Sequence, residues 1–345
     1  MDGLFLSSIF ISTIVFICLF IHYSPKLGLV DIPNERSVHT KVIPRGAGIA
    51  FVISVLLSLL FFEFEHFKIY YYIYFAIALI FSAGIWDDAK NITPRIKFIF
   101  IFFAVLFLYM NDFSLNSLGT YLGYELVLPV WIVFPFTFFA IAGFTNALNL
   151  MDGLDGLAAT VSLVMLMAFL AVGLQYNDTL LITLSSAFIV TLLAFLLFNW
   201  HPAKVFMGDS GSLTLGMVIS ILAIQATHYI APAAVLFMVA LPLLDTFIVM
   251  TRRFQRHKPL FKADKNHLHH FLFNVKGDIR YTVIILALMQ VVFSIIGYQM
   301  GKENELLSLI LFGILFYLYL NLFDQRLKRR TGYDISQSKY KNQKK

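Results

Sequence analysis

The chain has 345 residues, 59% of them hydrophobic and only 13% charged, with a mean hydropathy of +0.79. A soluble domain carries about a quarter charged residues, so this composition excludes an ordinary water-soluble globule. The formal charge of +6 raises the question of nucleic acid, but the charges are placed as in a membrane protein and no nucleic-acid partner is expected. The single cysteine, Cys18, excludes an internal disulfide.

A helix needs about 20 mostly apolar residues to cross a hydrocarbon core. Eleven stretches come near that length, at 4–22, 46–63, 68–86, 96–111, 126–142, 157–174, 180–198, 210–227, 231–250, 281–299 and 305–323. The first lacks a basic n-region and is long enough to span, so it reads as a helix and not as a cleaved leader. The expectation is an all-α integral membrane protein, one polytopic bundle of about 11 helices occupying residues 1–345. When the connecting segments are taken alternately, all of the 26 Lys and Arg except Lys68 and Lys302 fall in one set. Positive residues stay on the cytoplasmic side, which puts the N-terminus outside and the C-terminus inside. Anionic headgroups then account for the basic tail containing Arg326, Lys328, Arg329, Arg330, Lys344 and Lys345.

The inward segments also hold the acids. Asp87 and Asp88 follow the third stretch, Asp152 and Asp155 precede the sixth, and Asp209 precedes the eighth. Asp245 lies within the ninth, short of its cytoplasmic end. Carboxylates at or in a membrane are costly, and close carboxylates repel unless cations lie among them. The inward set therefore reads as a functional site. Blander readings stand beside it for two members: Asp155 as the N-cap of the sixth helix, and Asp245 as a structural partner of Arg252 or Arg253. The outward acids Asp112, Glu125, Asp178, Glu303 and Glu305 read as ordinary connector residues.

Five segments carry chemistry. The first, Asp31 to Gly48, is punctuated by Pro and Gly and contains Arg36, His39, Lys41 and Arg45. The second is Asp87-Asp88, with Lys90, Arg95 and Lys97 nearby. The third runs from Asn146 through Asn149, Asp152 and Asp155 to Ala158. Helical residues three apart are neighbours, so the Asn146 and Asn149 amides point together. Amides with carboxylates suit the imide edge and ribose hydroxyls of a nucleoside. In the fourth, Val205 to Leu213, Gly and Ser around Asp209 expose backbone N–H groups for a phosphate, Asp209 offers a metal ligand, and Phe206 can stack on a base. The fifth is Asn266-His267-Leu268-His269-His270. Three His could hold zinc, but the prevalence of hard oxygen ligands favours phosphate contact instead.

In this order the five segments resemble the polyprenyl-phosphate N-acetylhexosamine-1-phosphate transferase family, glycosyltransferase family 4, from about Asp31 to His270. Two further spans and the basic tail follow at 281–345. The resemblance implies a Mg²⁺-dependent enzyme, with Mn²⁺ as an alternative. It would transfer N-acetylhexosamine-1-phosphate from a UDP-sugar to undecaprenyl phosphate and release UMP. This is the first membrane step of a cell-envelope glycan of O-antigen or teichoic acid type, carried out at the cytoplasmic face of the inner (plasma) membrane. It implies Asp209 as metal ligand with Asp88 beside it, and Asp87, Asp88, Asp209, His267, His269 and His270 as catalytic. Arg36, His39, Arg45, Asn146, Asn149, Asp152, Asp155 and Phe206 would bind substrate. His267-Leu268-His269-His270 is similar to the branch using simple UDP-N-acetyl sugars, since the muramoyl-pentapeptide branch usually has three adjacent His. Departures from the family pattern are Ser37 after Arg36, Ala47 between Gly46 and Gly48, and Asn91 after the acidic pair. The alternatives are the muramoyl-pentapeptide transferase and, from another class, a membrane transporter. A CDP-alcohol phosphotransferase is set aside because Asp152-Gly153 is followed by Leu-Asp-Gly. The apolar outer helices leave room for a homodimer.

Overall fold

The computed structural model describes residues 3–33, 41–255, 257, 267–301 and 305–331, with side chains described through 321. Arg36 and His39, and Asn266 of the histidine motif, lie outside the described residues.

In chain order the elements are α1 Gly3–Leu27, β1 Val30–Asp31, β2 Ile43–Pro44, α2 Gly48–Phe62, α3 Phe64–Ile69, α4 Tyr71–Lys90 and α5 Pro94–Met110. Then come β3 Ser117–Tyr121, β4 Tyr124–Val127, α6 Val130–Met151, α7 Leu157–Tyr176, α8 Thr179–Asn199 and α9 Gly208–Ala226. The last are α10 Pro232–Met238, α11 Ala240–Gln255, α12 Leu268–Lys276, α13 Ile279–Met300 and α14 Glu305–Thr331. Each of the apolar stretches falls mainly on helix, although the fifth begins on β4 and enters α6 only at Val130. Among the described residues, seven helices (α1, α4, α6, α7, α8, α9, α13) are individually long and apolar enough to cross a membrane, and α10 with α11 makes an eighth if the bent pair is one span. The protein is an all-α membrane protein with two small antiparallel hairpins, β1–β2 and β3–β4.

Local chemistry sets several helix ends. Pro94 and Pro232 stand in the first turns of α5 and α10, where no N–H is needed. Asp178 caps α8 by accepting from the Leu181 N–H at 2.7 Å, and Asp278 caps α13 by accepting from the Tyr281 N–H at 3.1 Å.

The centre of the bundle is α9, buried along almost its whole length between α4, α6 and α2. Small residues recur at every fourth position, Gly208, Ser212, Gly216 and Ser220, the spacing that lets helix backbones approach in lipid. A Cβ on Gly48 would stand 2.0 Å from the Gly211 nitrogen, so α2 and α9 cross at backbone contact. This packing carries the first turn of α9 against the ends of α2 and α4, where the acids are.

Three expectations are corrected. The fifth stretch does not end at 142; α6 continues to Met151. Asn149 is compatible with that helix, because its side chain donates to Ser212 of α9 and does not face lipid. The segment after α5 is more than a connector, since it folds into the β3–β4 hairpin. The ninth stretch is not one helix: α10 and α11 meet at 88°. Pro242 has no N–H to give the Met238 carbonyl, so the ladder fails there. Gln290 of α13, fully buried, mends the break. Its Nε2 donates to Met238 O at 2.7 Å and its Oε1 accepts from the Leu241 N–H at 3.0 Å.

Candidate active site

Backbone pairing brings the first and fourth motif segments together. The Phe206 N–H donates to Pro44 O at 2.8 Å, and Phe206 O accepts from Gly46 and Ala47 at 3.1 and 3.0 Å. Arg45 and Phe206 thus lie in a short parallel bridge. Arg45 then reaches α9 and α4: its Nη2 is 3.0 Å from Asp209 Oδ1 and its Nε 3.6 Å from Asp88 Oδ1. Burial works against the Arg45 charge, but Asp209 and Asp88 outweigh it and hold its pKa above the ordinary value.

The Asp88 side chain is fully buried and sits at the start of α9. Its Oδ1 accepts from the Asp209 N–H at 2.8 Å and its Oδ2 from the Ser210 N–H at 3.0 Å. A carboxylate there satisfies orphan donors and opposes the positive end of the helix dipole. Gly208 is obligatory beside it. Its φ is +72°, and a Cβ would come within 2.6 Å of both Asp88 oxygens. Asp87, in the same last turn of α4, faces Lys97 from the first turn of α5 at 3.0 Å. The Lys97 ammonium also contacts Asp209 Oδ2. Asp209 is therefore held on one oxygen by Arg45 and on the other by Lys97.

The third segment closes the site. Asn149 donates through Nδ2 to Ser212 Oγ at 2.8 Å, tying α6 to α9, and Asn146 is half-buried one turn earlier. Asp152 follows α6. Part of its surface is open, yet burial of the carboxyl, then the negative charge of Asp209, pushes its pKa up to about 7. Asp155 faces elsewhere. Its Oδ2 is 2.6 Å from His201 Nδ1 and accepts from the Ala203 N–H at 3.1 Å. It is not the N-cap of α7, since that position is Gly156 in the left-handed region. Asn199 completes this corner, accepting from the Gly156 N–H at 3.0 Å and donating to Val205 O at 2.8 Å.

The histidine motif approaches from the other side. Asp245 does not pair with Arg252 or Arg253. Its Oδ2 is 3.0 Å from His267 Nδ1, and its Oδ1 accepts from the Leu268 N–H at 2.7 Å, which caps α12. His267 and His269 stack with ring centres 5.7 Å apart, and His270 lies 4.3 Å from His269. A Cβ on Gly153 would meet His269 Nε2 at 2.7 Å, so this ring lies over the turn next to Asp152. Burial pushes the His269 pKa down to about 3. At neutral pH it is an uncharged donor or acceptor, not the cation expected beside a phosphate.

Asp87, Asp88, Arg45 and Asp209 thus converge, with Asn149, Asp152 and His269 around them and Asp155 turned aside. Sequence reasoning names Lys97 only as a neighbour of the acidic pair and does not single out Asn199 or Gln290. Lys97 carried a signal, a cation in the first turn of a helix, where the dipole disfavours it. Four carboxylates (Asp87, Asp88, Asp152, Asp209) interact with two cations (Arg45, Lys97), an excess of two negative charges when all are ionised. Among the described residues no group of three or more His, Cys, Asp or Glu is clustered tightly enough to hold a metal ion. Asp87 and Asp209 are hard oxygen donors of the type that Mg²⁺ takes, and the Lys97 ammonium stands between them.

Fold and site together define a polytopic helical membrane protein with an acid- and cation-lined site at one end of its bundle. Residues 70–227 match the model for glycosyl transferase family 4. A probable undecaprenyl-phosphate N-acetylglucosaminyl 1-phosphate transferase of Bacillus subtilis (strain 168) is 32% identical over 314 residues, 89% of this chain and 86% of that protein. The undecaprenyl-phosphate alpha-N-acetylglucosaminyl 1-phosphate transferases of Salmonella typhi and Escherichia coli (strain K12) are 31% and 29% identical over 352 and 350 residues, in each case 94% of both chains. The chain belongs to glycosyl transferase family 4, the family its motifs resemble.

Proposed function

We propose that this protein transfers N-acetylglucosamine-1-phosphate from UDP-N-acetylglucosamine to undecaprenyl phosphate, releasing UMP, as a first membrane step of cell-envelope glycan synthesis. The observation that carries the reading is the convergence of Asp87, Asp88 and Asp209 with Arg45 and Lys97, in a chain whose relatives bear that activity in their names. The bundle is read as eleven spans, N-terminus out and C-terminus in, because the basic segments alternate so completely. The site then faces the cytoplasm across the inner (plasma) membrane. A polyprenyl tail stays in the bilayer while a nucleotide sugar is cytosolic, so the chemistry belongs at their boundary.

In the reaction an oxygen of the lipid phosphate forms a bond to the β-phosphorus of the donor. The bond from that phosphorus to the bridging oxygen breaks, and its electron pair leaves with UMP. Several anions must meet, so catalysis is charge neutralisation and positioning. Arg45 and Lys97 supply positive charge. Asp209 and Asp87 would hold Mg²⁺, with Asp88 directly behind; when bound, the ion would neutralise pyrophosphate charge. A phosphate monoester has its second pKa near 6, so the acceptor needs no strong base. Asp88 has both oxygens engaged by the first turn of α9, which favours positioning over a covalent aspartyl intermediate. His269 over Gly153 and the Asn149–Asp152 turn would receive the nucleotide, with Phe206 against the base.

The test is purified protein in detergent with undecaprenyl phosphate, Mg²⁺ and a panel of UDP-N-acetylhexosamines, following UMP. Release that requires lipid and metal and is lost in Asp209→Asn is the expected result. No release with any donor from folded protein would refute the reading.

A further inference from the structure

Lys97 stands where two carboxylates meet. Asp87 comes from the last turn of α4, Asp209 from the first turn of α9, and the ammonium from the first turn of α5 contacts one oxygen of each. The position is electrostatically awkward for a lysine, since a helix N-terminus repels positive charge; the two acids must outweigh that. A lysine ammonium is a compact point charge on a flexible stem, without the fixed fork of a guanidinium. It can bridge carboxylates as a metal ion does, and it can leave by rotating its stem. The neighbouring Arg45 occupies the outer oxygen of Asp209 and is tethered through its backbone to the β1–β2 corner.

We propose that Lys97 is a built-in counter-cation: in the substrate-free protein its ammonium neutralises the Asp87–Asp209 pair, and the divalent ion must displace it. The inference rests on the reading of Asp209 and Asp87 as metal-holding. A dication and the ammonium cannot share one gap between two carboxylates, because they repel at close range in a partly desolvated site. Metal binding is then an exchange of cations. The site avoids bare, mutually repelling carboxylates between turnovers, at the expense of metal affinity. The displaced ammonium remains on its stem beside the site, free to meet an arriving phosphate.

The experiment is Mn²⁺ binding to purified protein in detergent, read by electron paramagnetic resonance without nucleotide or lipid, in wild type, Lys97→Met, Lys97→Arg and Asp209→Asn. Lys97→Met is expected to bind Mn²⁺ at least tenfold more tightly than wild type. Lys97→Arg, which keeps the charge, is expected to stay within about threefold, and Asp209→Asn to lose binding. A second readout uses wild type alone, so it does not depend on a variant folding. Reductive methylation of Lys97, followed by mass spectrometry, should accelerate at least threefold when Mn²⁺ is added. Equal or weaker binding in Lys97→Met, or an unchanged methylation rate in wild type that does bind Mn²⁺, would overturn the exchange while leaving the metal reading intact. If wild type and Lys97→Met both fail to bind, the metal reading fails and the exchange falls with it.

Discussion

Replacing Gln290 by Met tests whether one side chain holds the α10–α11 bend. Methionine matches glutamine closely in length and is at home among apolar neighbours, so packing loss is small and the effect is confined to hydrogen bonding. Two backbone groups lose their partners: Met238 O, which Pro242 cannot serve, and the Leu241 N–H. Each orphaned buried group costs about 1–3 kcal/mol, and no water is at hand within a bilayer. The sum is a destabilisation of about 2–6 kcal/mol. Equilibrium unfolding in mixed micelles titrated with SDS measures it. Gln290→Glu should be no better, since it keeps the acceptor for Leu241 but turns an oxygen toward Met238 O. Ser294→Ala removes only an accessory acceptor 3.1 Å from Gln290 and should cost under about 1 kcal/mol. Activity should fall with stability in Gln290→Met, because the bend aims α11 so that Asp245 reaches His267. A Gln290→Met protein within about 0.5 kcal/mol of wild type would refute the reasoning, since backbone relaxation or water would then be serving both groups.

Asp209→Asn should lower the transfer rate by about two to three orders of magnitude with little change in melting temperature, because an electrostatic centre is lost and the fold is not. Asp152 gives a pH signature. Its folded pKa of about 7 exceeds the unfolded carboxylate value, so the native state holds the extra proton in between and stability falls as pH rises from about 4 to 7. Melting curves across that range should flatten in Asp152→Asn; an unchanged slope would show that other groups set it. Asp245→Asn should cut activity about tenfold or more, by turning His267 to the wrong tautomer, while the Leu268 N–H keeps an acceptor; full activity would make the pair merely structural. Asp178→Ala removes the α8 cap and the acceptor for Gln225 and Tyr229, each at 2.7–2.8 Å. It should destabilise the protein by about 1–3 kcal/mol with turnover per folded molecule retained.

The helices were legible because lipid requires long apolar runs, and the acids stood out because lipid penalises them. Partnership was not legible. Asp88 reads as half of an acidic pair, yet its structural work is to cap a helix that begins 120 residues later; nothing near position 88 encodes the amides of Asp209 and Ser210. For Asp155 and Asp245 the blander alternatives were local, a helix start and the next arginines, but their partners are distant, His201 and His267. The end of α6 was missed because two asparagines in an apolar run look like a loop when the Ser212 that Asn149 meets is unseen. The broken helix was missed because apolar composition reports depth in the membrane and not backbone continuity; Pro242 was the available sign.

These non-local pairings also explain how a site rich in carboxylates persists at the end of an apolar bundle. Asp88 is held by backbone amides, Asp209 by Arg45 and Lys97, Asp87 by Lys97, and Asp245 by His267 and a helix start. Among the described residues Asp152 is the member of this set without an ion pair or hydrogen-bond donor of its own, and burial pushes its pKa up to about 7. Restraint on the site is therefore uneven. The acids locked to backbone fix its shape, whereas those held by flexible cations, and Asp152, can change partners when phosphates and a dication arrive. Exchange is concentrated at Asp87, Asp209 and Asp152, and these are the three whose substitution should alter ligand response more than fold.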